Sequence, residues 1–175
     1  MAHAHSIENG SGFLAGISHP VLGFDHLLAM VSVGILSTQM GGKAIWTVPL
    51  TFIGVMVLGG WWGMQGTGLA PVELGISFSV FALGLALAIE KKLPQGFTLL
   101  FVGIFALFHG YAHGLEMPGI AQPALYTAGF ITGTAGIHII GILLGIIFMG
   151  IRNGDRFLRY VGAGIAGIGV HLLIQ

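Results

Sequence analysis

The longest apolar stretch of the chain is PALYTAGFITGTAGIHIIGILLGIIFMGI, residues 123–151, which contains no Asp, Glu, Lys or Arg. A helix needs about 20 predominantly apolar residues to cross the roughly 30 Å hydrocarbon core of a bilayer. This stretch is long enough to cross with a tilt. It therefore predicts a membrane-spanning helix and places the chain among integral membrane proteins.

Five further apolar stretches accompany it, each near or above the ~17 residues that a span requires. Charged residues make up only 7% of the chain, whereas soluble domains carry about 25%. We therefore predict an all-α fold in which residues 1–175 form a single polytopic membrane helical bundle with six transmembrane helices. An outer N-terminal segment, 1–18, precedes spans at about 20–39, 44–65, 72–89, 96–116, 123–151 and 157–173.

The basic residues predict the orientation of these spans. All of them fall in three connections: Lys43, then Lys91 and Lys92, then Arg152, Arg156 and Arg159. The alternate connections, 66–73 and 117–123, contain none. By the positive-inside rule the basic connections are cytoplasmic, so both termini lie outside. Aromatic belts would then comprise Trp61, Trp62 and Tyr126 at the outer interface and Trp46 and Tyr160 at the inner one.

Composition excludes several other classes of protein. Six basic and six acidic residues leave no net charge, so no nucleic-acid partner is expected. Without cysteine, disulfides and thiolate metal sites are excluded. The chain has 31 glycines, some spaced as in GFITG (129–133) and GILLG (141–145). Such small-residue ridges pack membrane helices closely, either inside one protomer or in a homo-oligomer.

Polar residues interrupt the fourth apolar stretch in FHGYAHGLE, residues 108–116. On a helix that advances 100° per residue, His109, His113 and Glu116 lie at about 0°, 40° and 340°. They therefore share one face over two turns. His109 is the deepest of the three and serves as a ligand or a relay.

A second polar group opens the first span in HPVLGFDHLLAM, residues 19–30. His19 precedes Pro20, a residue suited to a helix start, so His19 is either a ligand at the mouth or a cap of the helix. His26 lies at about the depth of His113, given a rise of 1.5 Å per residue. Asp25 is a ligand or the partner that orients one. Glu73, at the outer end of the third span, adds a carboxylate.

Imidazole and carboxylate together suit a borderline divalent cation such as Ni(II), Co(II), Cu(II) or Zn(II). A carboxylate in hydrocarbon costs at least ~2.5 kcal/mol on insertion scales, so these acids either pair or line a watery path. For His138 and His171 we favour the simpler interpretation that each hydrogen-bonds a neighbouring helix.

The first residues, MAHAHS, offer a further possibility. An N-terminal amine with a nearby histidine can wrap a square-planar ion, so His3 and His5 are candidates for capturing metal outside; a disordered tail is the alternative. No charged segment with a short apolar core precedes His3, and we expect that a signal peptide has been removed.

The two signatures, HPVLGFDHLLAM and FHGYAHGLE, in this order resemble those of the HupE/UreJ family of nickel/cobalt permeases. The resemblance covers nearly the whole chain. It implies secondary uptake of Ni(II) or Co(II) across the bacterial inner membrane, with no permanent cofactor. It also implies metal-handling roles for His19, Asp25, His26, His113 and Glu116, with His109 in the same signature.

Two rival functions use the same residue types. An integral-membrane metal-dependent hydrolase would place three ligands around an ion with an open position. A bis-histidine haem protein would show a Soret band, and its axial histidines would not favour crowded carboxylates. No Walker-type phosphate loop is present, so we do not expect ATP hydrolysis by this chain.

Overall fold

A computed structural model describes the backbone of residues 2–68, 71–90, 93–117, 119 and 122–175, and the side chains from residue 12 onward within those ranges. All regular structure in this part of the chain is helical, and the all-α prediction is confirmed there. The helices are α1 (Ala2–Leu22), α2 (Phe24–Met40), α3 (Ala44–Gly63), α4 (Val72–Ile89), α5 (Gln95–Leu115), α6 (Pro123–Met149) and α7 (Gly154–Leu173).

Four helices of the described chain, α3 to α6, are long and apolar enough to cross a membrane, and the bent pair α1–α2 makes a fifth if it counts as one span. Helix α7 is not among them; it carries Asp155, Arg156 and Arg159 at its beginning. The structure thus supports four to five candidate spans, where the sequence predicted six.

The first predicted span, Pro20 to Gln39, has different bounds in the structure. Helix α1 continues through Pro20 to Leu22, and α2 begins at Phe24 after a bend of 79°. Pro20 has no N–H to donate and so weakens the last turn of α1, while Gly23 between the helices is extended, with φ −72° and ψ 104°. Pro20 therefore stands near a helix end, and the prediction that it starts a helix was wrong.

The sequence predicted that residues 1–18 form an outer segment separate from the spans, and the structure differs. From Ala2 its backbone belongs to α1, which packs against α6. His3 and His5, the candidates for metal capture, lie outside the residues whose side chains are described.

Glycines bring the helices into close contact. In α6, a Cβ on Gly129 would strike the Phe13 carbonyl of α1, and one on Gly141 would strike the Val31 carbonyl of α2. The glycine ridges of α6 therefore pack inside this chain. Glycines also bring α3 close to α5, at Gly59 and Gly63, and α4 close to α7, at Gly84.

The connections that carry the basic residues lie at one end of the bundle. Gln95 Nε2 donates to Thr47 Oγ1 at 2.9 Å, which joins the start of α5 to the start of α3. Arg159 Nε donates to the Ala88 carbonyl at 2.9 Å, which joins the start of α7 to the end of α4. The signatures meet at the opposite end.

The outer surface of the bundle is apolar. Six large aliphatic side chains of α6 are exposed: Ile139, Ile140, Leu143, Leu144, Ile146 and Ile147. The interior is mostly apolar as well, but several histidine, serine and threonine side chains are buried within it. A lipid environment favours this distribution, because an apolar surface of such extent is unfavourable in water.

Candidate functional site

A cavity of about 500 Å³ opens at the end of the bundle opposite the basic connections. It is formed where α1 ends, where α2, α4 and α6 begin, and where α5 ends. The structure brings the three predicted carboxylates and two of the predicted histidines to its wall. The lining residues are Ala15, Ser18, His19, Leu22, Gly23, Asp25, His26, Glu73, Glu116 and Tyr126.

His26 lies at the start of α2, held by the carboxylate beside it. Asp25 Oδ1 accepts from the His26 backbone N–H at 2.7 Å and lies 2.9 Å from His26 Nδ1. Because a carboxylate can only accept, the ring proton belongs on Nδ1. His26 Nε2 then carries a lone pair, and this buried atom has no hydrogen-bond partner.

His109 is oriented in the same way by its own helix. Its Nδ1 lies 2.9 Å from the Phe105 carbonyl oxygen, which is also an acceptor only. His109 is fully buried, and its Nε2 has no hydrogen-bond partner. Metal-binding histidines are characteristically held like this, with one nitrogen donating to a fixed oxygen and the other free to ligate.

His113 lies between the cavity and the interior. Its ring stacks on Phe130 of α6, with centroids 5.1 Å apart and planes within 6°. It also contacts the rings of His19 at 4.6 Å and His26 at 5.2 Å. Both ring nitrogens are buried without a hydrogen-bond partner. Stacking therefore holds the ring and leaves both nitrogens available.

His19 joins the first signature to the second. Its Nε2 lies 3.0 Å from Glu116 Oε2, and the two side chains are 24% and 47% exposed. His19 stands inside α1, so the interpretation of His19 as a cap at the start of the first span was wrong. The contact places His19 and Glu116 at the mouth of the cavity, above the more deeply buried rings.

The imidazole rings contact one another, but their nitrogen atoms do not point at a common centre. Their planes cross at 64° to 88°. Among the side chains that the structure describes, no three of His, Asp or Glu are arranged so that they could hold a metal ion as they stand. An ion bound by this cluster would require its rings to turn toward it.

Three aromatic residues at the cluster carried no clear signal in the sequence. Tyr126 was predicted to lie in the outer aromatic belt, but it is 1% exposed and lines the cavity, because α1 covers it. Phe130, one turn further along α6, holds His113. Phe52 of α3 contacts the His109 ring, with centroids 5.4 Å apart. In the sequence, the spacing of these three aromatic residues is the same as that of ordinary core residues, so it does not indicate a site.

The whole chain matches known proteins. The family model for the HupE / UreJ protein matches residues 1–172. The chain belongs to the HupE/UreJ family. Protein HupE of Rhizobium leguminosarum bv. viciae is 42% identical over 174 residues, which cover 99% of this chain and 91% of that protein. No solved structure matches. The resemblance to the HupE/UreJ family is thus confirmed, and the signatures that carried it are the segments whose histidine rings contact one another.

Proposed function

We propose that this HupE/UreJ chain is a secondary permease that takes up Ni(II), or Co(II), across the bacterial inner membrane. One observation carries the proposal. His26 and His109 each direct Nδ1 at a fixed oxygen acceptor and keep a buried Nε2 without a hydrogen-bond partner. Leaving such atoms unsatisfied is costly, which favours a cationic ligand that visits them.

The donor set suits the proposed substrate. Neutral imidazole binds Ni(II) and Co(II) well, and carboxylates balance their charge. In this proposal His26, His109 and His113 supply nitrogen ligands. Asp25 orients His26, and Glu73 and Glu116 at the cavity wall attract the hydrated ion and help to strip its water.

The path is proposed to run from the cavity toward the end with the basic connections. We propose six spans with both termini outside, α1–α2 serving as a broken first span and α7 as the last. The cavity would then face outward. Two positive charges that cross ~100 mV gain about 4.6 kcal/mol, so the membrane potential is a sufficient driving force for a chain that is not an enzyme.

Release requires a site that binds only moderately tightly. A transport site must be favourable enough to fill and weak enough to empty. The rings must turn to meet the ion, and the carboxylates of Asp25 and Glu116 remain partly exposed. Such a site satisfies both demands better than a closed set of ligands would. A metal-dependent hydrolase that uses the same ligands is the competing function.

Uptake by purified protein in sealed liposomes tests the proposal. With an inside-negative potential, we expect Ni(II) to accumulate in wild-type vesicles and His26→Ala to abolish the accumulation. His171→Ala is the matched control, because His171 lies on α7, where it contacts Gln175. Normal uptake by His26→Ala would refute the site. Tight binding with ester or amide hydrolysis but no uptake would favour the hydrolase.

A further inference from the structure

His138, in the middle of α6, is a second place where the interior holds an unsatisfied imidazole. The side chain is 1% exposed, and neither ring nitrogen has a hydrogen-bond partner. A histidine that served only to join helices would donate to or accept from a neighbouring helix. A buried polar group left without a partner is unfavourable, because its hydrogen bonds to water are lost and not replaced. The packing role favoured from the sequence therefore has no bond to support it.

The position of His138 is deeper than that of the cavity cluster. Phe130, on which His113 stacks, lies eight residues earlier in α6. At 1.5 Å per residue, His138 is about 12 Å further along the helix axis. Gly34 of α2 packs against its carbonyl, and Gly34 likewise follows His26 by two turns. His138 thus lies below the cluster, toward the end that carries the basic connections.

One aromatic ring separates His138 from the cluster. The centroid of Phe52 lies 5.4 Å from that of His109 and 5.1 Å from that of His138. The two histidines therefore contact the same ring, one from the cavity side and one from the opposite end. The Phe52 ring is therefore the side chain that links the two imidazoles by direct contact.

Further donors lie one turn away from His138. Thr134 Oγ1 donates to the Met56 sulfur at 3.6 Å. Thr134 precedes His138 by four residues on α6, and Met56 follows Phe52 by four on α3, so all four share the α3–α6 contact. Thioether and imidazole are softer ligands than carboxylate. This neighbourhood contrasts with the acidic mouth of the cavity.

We propose that His138 forms a second, inner binding position for the divalent cation, which receives the ion from His109 past Phe52. The proposal rests on the transport function proposed above. It assigns the outer cluster to capture and dehydration, and His138 to the passage through the apolar middle of the bundle. Two weaker positions in series let an ion advance without a single deep energy well.

The experiment compares His138→Leu and His138→Asn with wild type and with His171→Ala. Co(II) is the probe, because its visible absorption reports each ion that is bound, in detergent and without transport. Uptake of Co(II) into liposomes is measured on the same samples. Thermal unfolding shows whether each variant is folded, and Asn keeps a polar side chain of similar size if Leu does not fold.

We expect wild type to bind a second Co(II) ion that both His138 variants lose, while the first ion binds as in wild type. Uptake should fall by about tenfold or more, the scale on which the loss of a metal-site partner acts. Unchanged uptake, an unchanged number of bound ions, or loss of both ions together would overturn the inner position. If wild type itself fails to import Co(II) and Ni(II), the proposed transport function is refuted. The number of bound ions then shows by itself whether His138 forms a second binding position.

Discussion

The imidazole rings of His26 and His109 lie 4.9 Å apart at 76° to one another, one at the start of α2 and the other near the end of α5. They come from signatures more than eighty positions apart in the chain. Each ring is fixed by an acceptor of its own helix. The helices thus orient the two imidazoles separately, and only helix packing brings the two rings together.

Asp25→Asn should weaken the site without removing a ligand. The carboxylate fixes the tautomer of His26 and increases the basicity of Nε2, and the amide has no charge and can present its NH₂ group instead. We expect the affinity for Ni(II) to fall about 10–100-fold, as measured by equilibrium binding in detergent. Asp155→Asn, at the exposed start of α7, is the control. Equal affinity in Asp25→Asn and wild type would contradict the orienting role.

His113→Phe should show whether His113 acts as a metal ligand or only as a packed ring. The substituted ring can still stack on Phe130 as His113 does at 5.1 Å, but it offers no nitrogen. We expect the thermal unfolding midpoint to stay close to that of wild type and the uptake of Ni(II) to be lost. If uptake survives with a folded protein, His113 serves the cluster only as a stacked ring.

His19 and Glu116 should act as one unit at the cavity mouth, because Nε2 and Oε2 are 3.0 Å apart. Exposed pairs of this kind contribute about 0.2–1 kcal/mol, so Glu116→Ala should raise the half-saturating Ni(II) concentration about 1.4- to fivefold. The loss in the double variant should be smaller than the product of the two single losses. Initial uptake rates over a range of Ni(II) concentrations measure this. Fully additive losses would mean that the two side chains act independently.

Gly110→Ala should damage the scaffold. A Cβ there would strike the Met56 carbonyl of α3, and backbone cannot move aside as a flexible side chain can. Overpacking of this kind costs about 1–3 kcal/mol. Gly103→Ala in the same helix is the matched control, since its Cβ would meet only Val55 Cγ2 at 3.8 Å and Thr51 Cγ2 at 4.0 Å. Thermal unfolding in detergent should show a lower midpoint for Gly110→Ala alone.

Local periodicity was enough to predict much of the second signature. His109 and His113 share a face of α5 because residues four apart are neighbours on any helix, and both contact His26 in the structure. The prediction that His26 and His113 lie at the same depth counted the rise from a helix start at Pro20, whereas α2 begins at Phe24. The contact between the two rings therefore depends on how the helices pack. The assignment of these residues to metal binding remains a prediction.

Features that depend on tertiary packing were not predictable in this way. Pro20 is a residue suited to a helix start, yet α1, which packs against α6, continues through it to Leu22. The same packing buries Tyr126, which an aromatic belt would have left at the interface. His138 has an ordinary apolar context in the sequence, and its lack of a hydrogen-bond partner emerges only when the neighbouring helices are in place.

Two neighbouring faces of α5, over the same two turns, make different contacts. Gly110 and Gly114 lie against the backbone of α3, while His109 and His113 meet the other histidines. The backbone contact sets the position of α5, regardless of which side chains project from the neighbouring face, about 100° around the helix. The metal preference proposed for this cluster should therefore be open to change by exchanging the imidazoles for thioethers or thiolates, while the packing of α3 against α5 is retained.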